Sequence, residues 1–152
     1  MNHNAATKTA DASAIIGYQF TNPAWLWEAL QAAGSPVLAV PQSRIREGNN
    51  RLAGLGDRIL SMIIVKRALV STDGISGDTN GRIQAYASNE RLARLCDSLG
   101  LTVCINGNPS QQGMRSARVK AATIEAVIAA VFQDAGLEAA EEVIDNIDVI
   151  IV

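Results

Sequence analysis

The chain has 152 residues, 48% of them hydrophobic and 18% charged, with a formal net charge of -2. That length and apolar share fit one globular domain with a proper core, and exclude a disordered or fibrous chain. Aromatics make up 4% of the residues, which argues against a base-stacking surface for single strands, as the acidic balance argues against a general affinity for nucleic acid.

Residues 1–11 read as a disordered polar tail. Ala12 to Tyr18 predicts a short helix that ends near Gly17. Asn22 and Pro23 then open a helix, Asn as cap and Pro at the first helical position. It runs A-W-L-W-E-A-L-Q-A-A and stops at Gly34. Ala29, Leu30 and Ala33, with Trp25 or Leu26, form its buried face, and Trp27 is expected to be partly exposed. A loop with Pro41 and Gly48 follows.

Asn49 to Val70 predicts the helix around which the chain is organised. Leu52, Leu55, Ile59, Leu60 and Ile63 recur at the spacing of one helix face, and Ile64 and Val65 widen the stripe. Asp57 sits one turn inside. A carboxylate there is costly to bury unless it is paired, hydrogen-bonded or metal-bound. The turn formers S-T-D-G-I-S-G-D-T-N-G make a loop next, without the spacing of a phosphate cradle. A helix capped by Asp78 or Asn80 continues through Gln84 and breaks near Ser88. Asn89 to Leu99 is amphipathic, with Leu92, Leu95, Cys96 and Leu99 inward and Gly100 closing it. A loop over 101–113 leads to a long helix that opens at Met114 or Ser116 and ends at Gly136. Leu137 to about Ile150 forms the last helix. No segment alternates with period two, so the chain reads as all-α.

Cys96 and Cys104 read as buried thiols in a reducing, intracellular compartment, cytoplasmic, nuclear or mitochondrial. No run is long and apolar enough to span a membrane. Beyond Lys120 there is no Lys or Arg, so any RNA-facing surface belongs to the basic half of the chain.

Four blocks carry a resemblance: I-G-Y-Q-F-T-N-P-A-W-L-W-E-A-L, then N-N-R-L-A-G-L-G-D-R-I-L, then S-N-E-R-L-A-R-L-C-D-S-L-G-L, then K-A-A-T-I-E-A-V-I-A-A-V-F. In this order they resemble the ribonuclease III catalytic domain, and the first block is similar to that of its short fungal members. The likeness covers about residues 13–147. It implies that family's helical endonuclease fold over 12–152, with no room for a double-stranded-RNA-binding domain. Asn89 to Asp97 imitates the family signature N-E-R-L-E-F-L-G-D, but its direct continuation into S-L-G-L resembles a later family helix. The signature helix is the one that starts at Asn49.

The family's chemistry uses carboxylates from two helices to hold Mg²⁺, which places a water on a phosphodiester and stabilises the leaving oxygen. Its pattern puts Glu, Glu and Asp where this chain has Asn50, Ala53 and Asp57, which share one helix face. On the partner helix, A-D-x-x-E-A becomes Ala121-Ala122-Thr123-Ile124-Glu125-Ala126. Asp57 and Glu125 survive as catalytic and metal-binding candidates, with Asn50 as a possible helper. Ala53 and Ala122 replace two acids, so Mg²⁺ binding is expected to be weak or absent. The resemblance also implies a homodimer through Leu52, Gly54 and Leu55 of the signature helix, where Gly54 replaces a family aromatic and suggests close backbone approach. RNA-binding candidates are Arg44, Arg46, Arg51, Arg115, Arg118 and Lys120. Three readings follow: a protein that binds double-stranded RNA with cleavage lost or weakened, an active Mg²⁺-dependent endonuclease, and a structural module like the ribonuclease III-like proteins of mitochondrial ribosomes.

Overall fold

In the computed structural model of the chain, residues 3–36, 47–70 and 79–150 are described. The expected loops around Pro41 and over residues 71–78 lie outside them, as do Arg44, Arg46 and the capping candidate Asp78. The described residues form seven α-helices: α1 (His3–Ile16), α2 (Ala24–Ala29), α3 (Asn50–Leu69), α4 (Thr79–Ala87), α5 (Asn89–Leu99), α6 (Ala117–Ala135) and α7 (Leu137–Asn146). Extended pairing among them is limited to one isolated bridge, between Gln31 and Asn106. The all-α expectation holds.

The centre of the molecule is α6 rather than α3. α6 packs against α2, α3, α5 and α7. Ala121, Ala126, Ala129 and Ala130 are buried in it beside Ile124, Val127, Ile128 and Val131. Small side chains on several faces let neighbours approach from every side, while the branched residues fill the space between them. α3 lays Leu52, Gly56, Ile59, Leu60, Ile63 and Ile64 against this core. Its last turn carries Lys66 and Arg67, which form ion pairs with Glu141 and Asp145 of α7.

The N-terminal stretch differs from its expectation. It is helical from His3 onward, where a disordered tail to residue 11 was predicted. Its inner face is Ala5, Thr9, Ala12 and Ile16, all buried, at the spacing of a helix stripe. Three of the four are too small to stand out in a hydrophobicity scan. This helix corrects a second expectation, because Ala5 and Ala24 pack on Trp27 and leave it 8% exposed.

α2 is also shorter than predicted, ending at Ala29 instead of running to Gly34. The chain leaves the helix because its backbone groups find partners elsewhere. Asn106 donates to the Leu30 carbonyl and accepts from the Ala32 N–H, and the Asn49 N–H donates to the Gln31 carbonyl. Ala33 is consequently exposed rather than buried. The helix caps match better. Ser88 accepts from the Arg91 N–H, Ser116 from the Val119 N–H, and Gly100 ends α5 in the left-handed region. α7 stops at Asn146, but Ile147 and Val149 stay buried, and the Arg91 guanidinium donates to the carbonyls of Asp148 and Val149.

Candidate functional site

The site is built where α3 crosses α6. Gly56 makes the crossing tight: a Cβ placed on it would fall 1.8 Å from the Glu125 carbonyl oxygen. The backbones of α3 and α6 can touch here because residue 56 has no side chain. Asp57 follows on the exposed side of α3, and half-buried Glu125 projects from α6. The two carboxyl groups lie close enough for the charge of Asp57 to act on Glu125. Burial, then the charge of Asp57, push the Glu125 carboxyl up to about 8. Glu125 therefore favours its protonated form near neutral pH.

Asn50 and Ala53 lie on the same side of α3, exposed and half-buried, and half-buried Ala122 precedes Glu125 by about one turn. The methyl groups of Ala53 and Ala122 donate nothing to a cation. Among the described residues, no group of three or more His, Cys, Asp or Glu side chains is placed to hold a metal. Of the positions that the sequence resemblance assigns to a metal centre, Asp57 and Glu125 carry carboxylates.

The basic candidates have separate fates. Arg51 reaches back to α2, where Nε and Nη2 donate to the two carboxylate oxygens of Glu28 at 2.6 and 3.1 Å. Glu28 is 0% exposed, so Arg51 neutralises a buried charge and is held there. Lys120 pairs with Asp97 at 2.9 Å. Arg115 donates to the carbonyls of Ile105 and Met114. Arg118 is exposed and forms no ion pair among the described residues. Of the predicted dimer residues, Leu52 is 3% exposed within a single chain. It belongs to the core, and only half-buried Gly54 and Leu55 remain near the surface. Gly54 is also not a site of close approach within the chain, since a Cβ there meets only the Arg58 guanidinium at 3.8 Å.

Sequence reasoning missed the polar residues that brace the crossing. Asn49 is 2% exposed, and its side-chain amide donates to the Ala29 carbonyl and to the Thr123 hydroxyl. Thr123 in turn donates to Val119. This chain of bonds ties the loop after α2 and the start of α3 to α6, two residues from Glu125. Glu28 was legible in principle, as an acid enclosed by Leu26, Trp27, Ala29 and Leu30.

Residues 42–149 match the family described as Ribonuclease-III-like. The chain is 32% identical over 135 residues to Ribonuclease 3 of Ruegeria pomeroyi, covering 86% of this chain and 57% of that protein. It is 32% identical over 147 residues to Ribonuclease 3 of Rhizobium etli, covering 92% and 58%. The chain thus spans little more than half the length of these curated relatives. The crystal structure of the nuclease domain of Ribonuclease III from Campylobacter jejuni superposes with a TM-score of 0.76 at 21% identity, over 91% of this chain and 92% of that one. A second structure of that domain, which concerns flexibility in a region involved in dimer formation, gives 0.72 at 22% identity.

Proposed function

The chain belongs to the ribonuclease III-like family, and we propose that it acts on double-stranded RNA as a binding domain with phosphodiester cleavage lost or much weakened. One observation supports this reading: of the acids that the family pattern places on these two helices, Asp57 and Glu125 remain close together, with Asn50, Ala53 and Ala122 in the places of the others. The loss of two donors exceeds the outer-shell changes that already weaken metal binding by about ten- to a hundredfold.

The decisive experiment incubates the protein with a long RNA duplex and Mg²⁺ or Mn²⁺, beside an Asp57→Asn control. Duplex binding without cutting is the expected result. Cutting at enzyme-like rates that Asp57→Asn abolishes would instead establish the second reading, an active Mg²⁺-dependent endonuclease. The preserved mutual approach of Asp57 and Glu125 is what favours that alternative.

The acting form in this reading is a homodimer. The outer face of α3 carries Gly54, Leu55, Met62, Val65 and Leu69 at helix spacing, and Met62 and Leu69 are 48% and 82% exposed. A second copy that lies along this stripe would bury it. Sedimentation at micromolar concentration tests the assembly, with Met62→Glu as the variant that disrupts it.

A further inference from the structure

We propose that the recess between the 107–116 loop and Ala32–Ala33 binds a phosphate group, and that in the RNA-bound protein this is a backbone phosphate of the duplex. The duplex half of this inference rests on the reading above. The recess is a cavity of about 90 Å³, lined by Gly107, Asn108, Gln111, Arg115 and Ser116 among others, with room well beyond that of a single water.

Its polar groups are unbalanced. Arg115 has five N–H donors. It uses three of them, Nε and Nη2 on the Ile105 carbonyl at 3.3 and 3.0 Å and Nη1 on the Met114 carbonyl at 3.3 Å. Two donors remain, and no carboxylate pairs with Arg115 among the described residues. Asn108 commits its Oδ1 to the Ser110 N–H and hydroxyl, and its amide Nδ2 has no acceptor among the described residues. No acidic residue lines the recess, and the first turn of α6 has none. In the following turn of α6, Arg118 is exposed and forms no ion pair among the described residues, whereas Lys120 pairs with Asp97. A recess of donors without a counter-charge fits an anion that brings several acceptor oxygens, as a phosphate does.

The guanidinium is set in place by its neighbour. A Cβ on Gly107 would lie 2.4 Å from Arg115 Cζ, so the plane of the guanidinium rests directly on the glycine backbone. Arg115 is thereby fixed by the carbonyls on one side and the glycine on the other, without an ion pair that a phosphate would need to break.

Two variants test the site without removing its frame. Ser116→Asp keeps a side-chain oxygen for the Val119 N–H, since Asp caps helices as well as Ser, and Asn108→Asp keeps the Oδ1 that Ser110 uses. Each adds a negative charge to the recess. Inorganic phosphate is titrated into the intact chain while backbone amide NMR signals are followed. Binding of a fluorescent RNA duplex is measured in parallel over a salt series, and melting temperatures show that the variants fold.

The expected result is saturable phosphate-induced shifts at Gly107, Asn108 and Ser116, lost in both variants. Duplex affinity is expected to fall about tenfold in each variant, with the salt slope reduced by about one phosphate contact. Shifts spread evenly over the surface, or variants that respond to phosphate as the parent does, would overturn the site. Phosphate shifts without duplex binding would assign the recess to free phosphate and overturn its role in RNA contact together with the proposed function. Duplex binding that ignores both substitutions would leave the proposed function standing and sink this inference alone.

Discussion

Gly56 and Glu125 touch backbone to backbone, with 1.8 Å separating the place of a Cβ on the glycine from the Glu125 carbonyl oxygen. Backbone cannot rotate out of the way as a side chain can. Gly56→Ala is therefore expected to destabilise the fold by about 3 kcal/mol, at the upper end of the usual overpacking cost. Gly54→Ala, two residues away with only the Arg58 guanidinium near it, is expected to be neutral or to stabilise by up to about 1 kcal/mol. Urea unfolding of both variants checks the contrast, and equal effects would show that the two helices do not cross at Gly56.

The acid pair predicts a direction for pH. Glu125 binds its proton more tightly folded, with a pKa of about 8, than unfolded, where the ordinary value of 4.5 applies. Between those values the native state holds the extra proton. The contribution is fully present below about pH 4.5 and is lost as pH rises toward 8. Glu125→Gln, which keeps a donor toward Asp57 and cannot ionise, is expected to be more stable than the parent by about 2 kcal/mol at pH 8 to 9, a partly solvated share of the full linkage energy. The advantage is expected to vanish near pH 5. A stability difference independent of pH would show that Glu125 is not the titrating group.

Metal affinity is expected to return by substitution. Ala53→Glu with Ala122→Asp places two more carboxylates beside Asp57 and Glu125. Calorimetry is expected to show at least tenfold tighter Mn²⁺ binding than in the parent, following the sensitivity of metal sites to their surroundings. Unchanged heats would mean that positions 53 and 122 do not point at the pair.

Arg51 is expected to matter for folding before it matters for RNA. Arg51→Ala leaves Glu28 buried and uncompensated, a loss of about 3 kcal/mol, and Arg51→Ala with Glu28→Gln is expected to recover most of it. Thermal melts of the single and double variants measure this. A single variant that melts like the parent while RNA binding falls would reassign Arg51 to the RNA surface.

The first helix is expected to contribute to stability. Deletion of residues 1–11 removes Ala5 and Thr9 from their packing and uncovers Trp27. In a Trp25→Phe background, the emission of Trp27 should shift to the red and become quenchable by acrylamide, with a stability loss of about 2 kcal/mol from the lost burial. An unshifted spectrum would mean that Ala5 does not cover the ring.

The course of α5 was legible from its strong apolar period and the Gly100 stop, that of α6 from Ser116 before Ala117 and Gly136 after Ala135, and that of α3 from its long apolar run alone. The facing of Asp57 and Glu125 was legible only through the family likeness, since nothing in either helix alone points to the other. α1 escaped because alanine and threonine bury well without looking hydrophobic, and a polar composition was read as disorder. The end of α2 escaped for a different reason. Helix propensity favours its continuation through Gln31 and Ala32, but Asn49 and Asn106, distant in sequence, claim the same backbone groups. The commitment of Arg51 to Glu28 was hidden in the same way, because a pairing across 23 positions leaves no local trace.

The half-exposed alanines at 53 and 122 give the molecule a use beyond its own biology. The tight helix crossing, the glycine beneath it and the asparagine brace that anchors it all stand beside these two alanines. A protein engineer thus receives a rigid chassis with two vacant ligand positions on turns that already face each other. Histidines installed there would ask whether this architecture accepts a softer ion than its relatives' chemistry calls for.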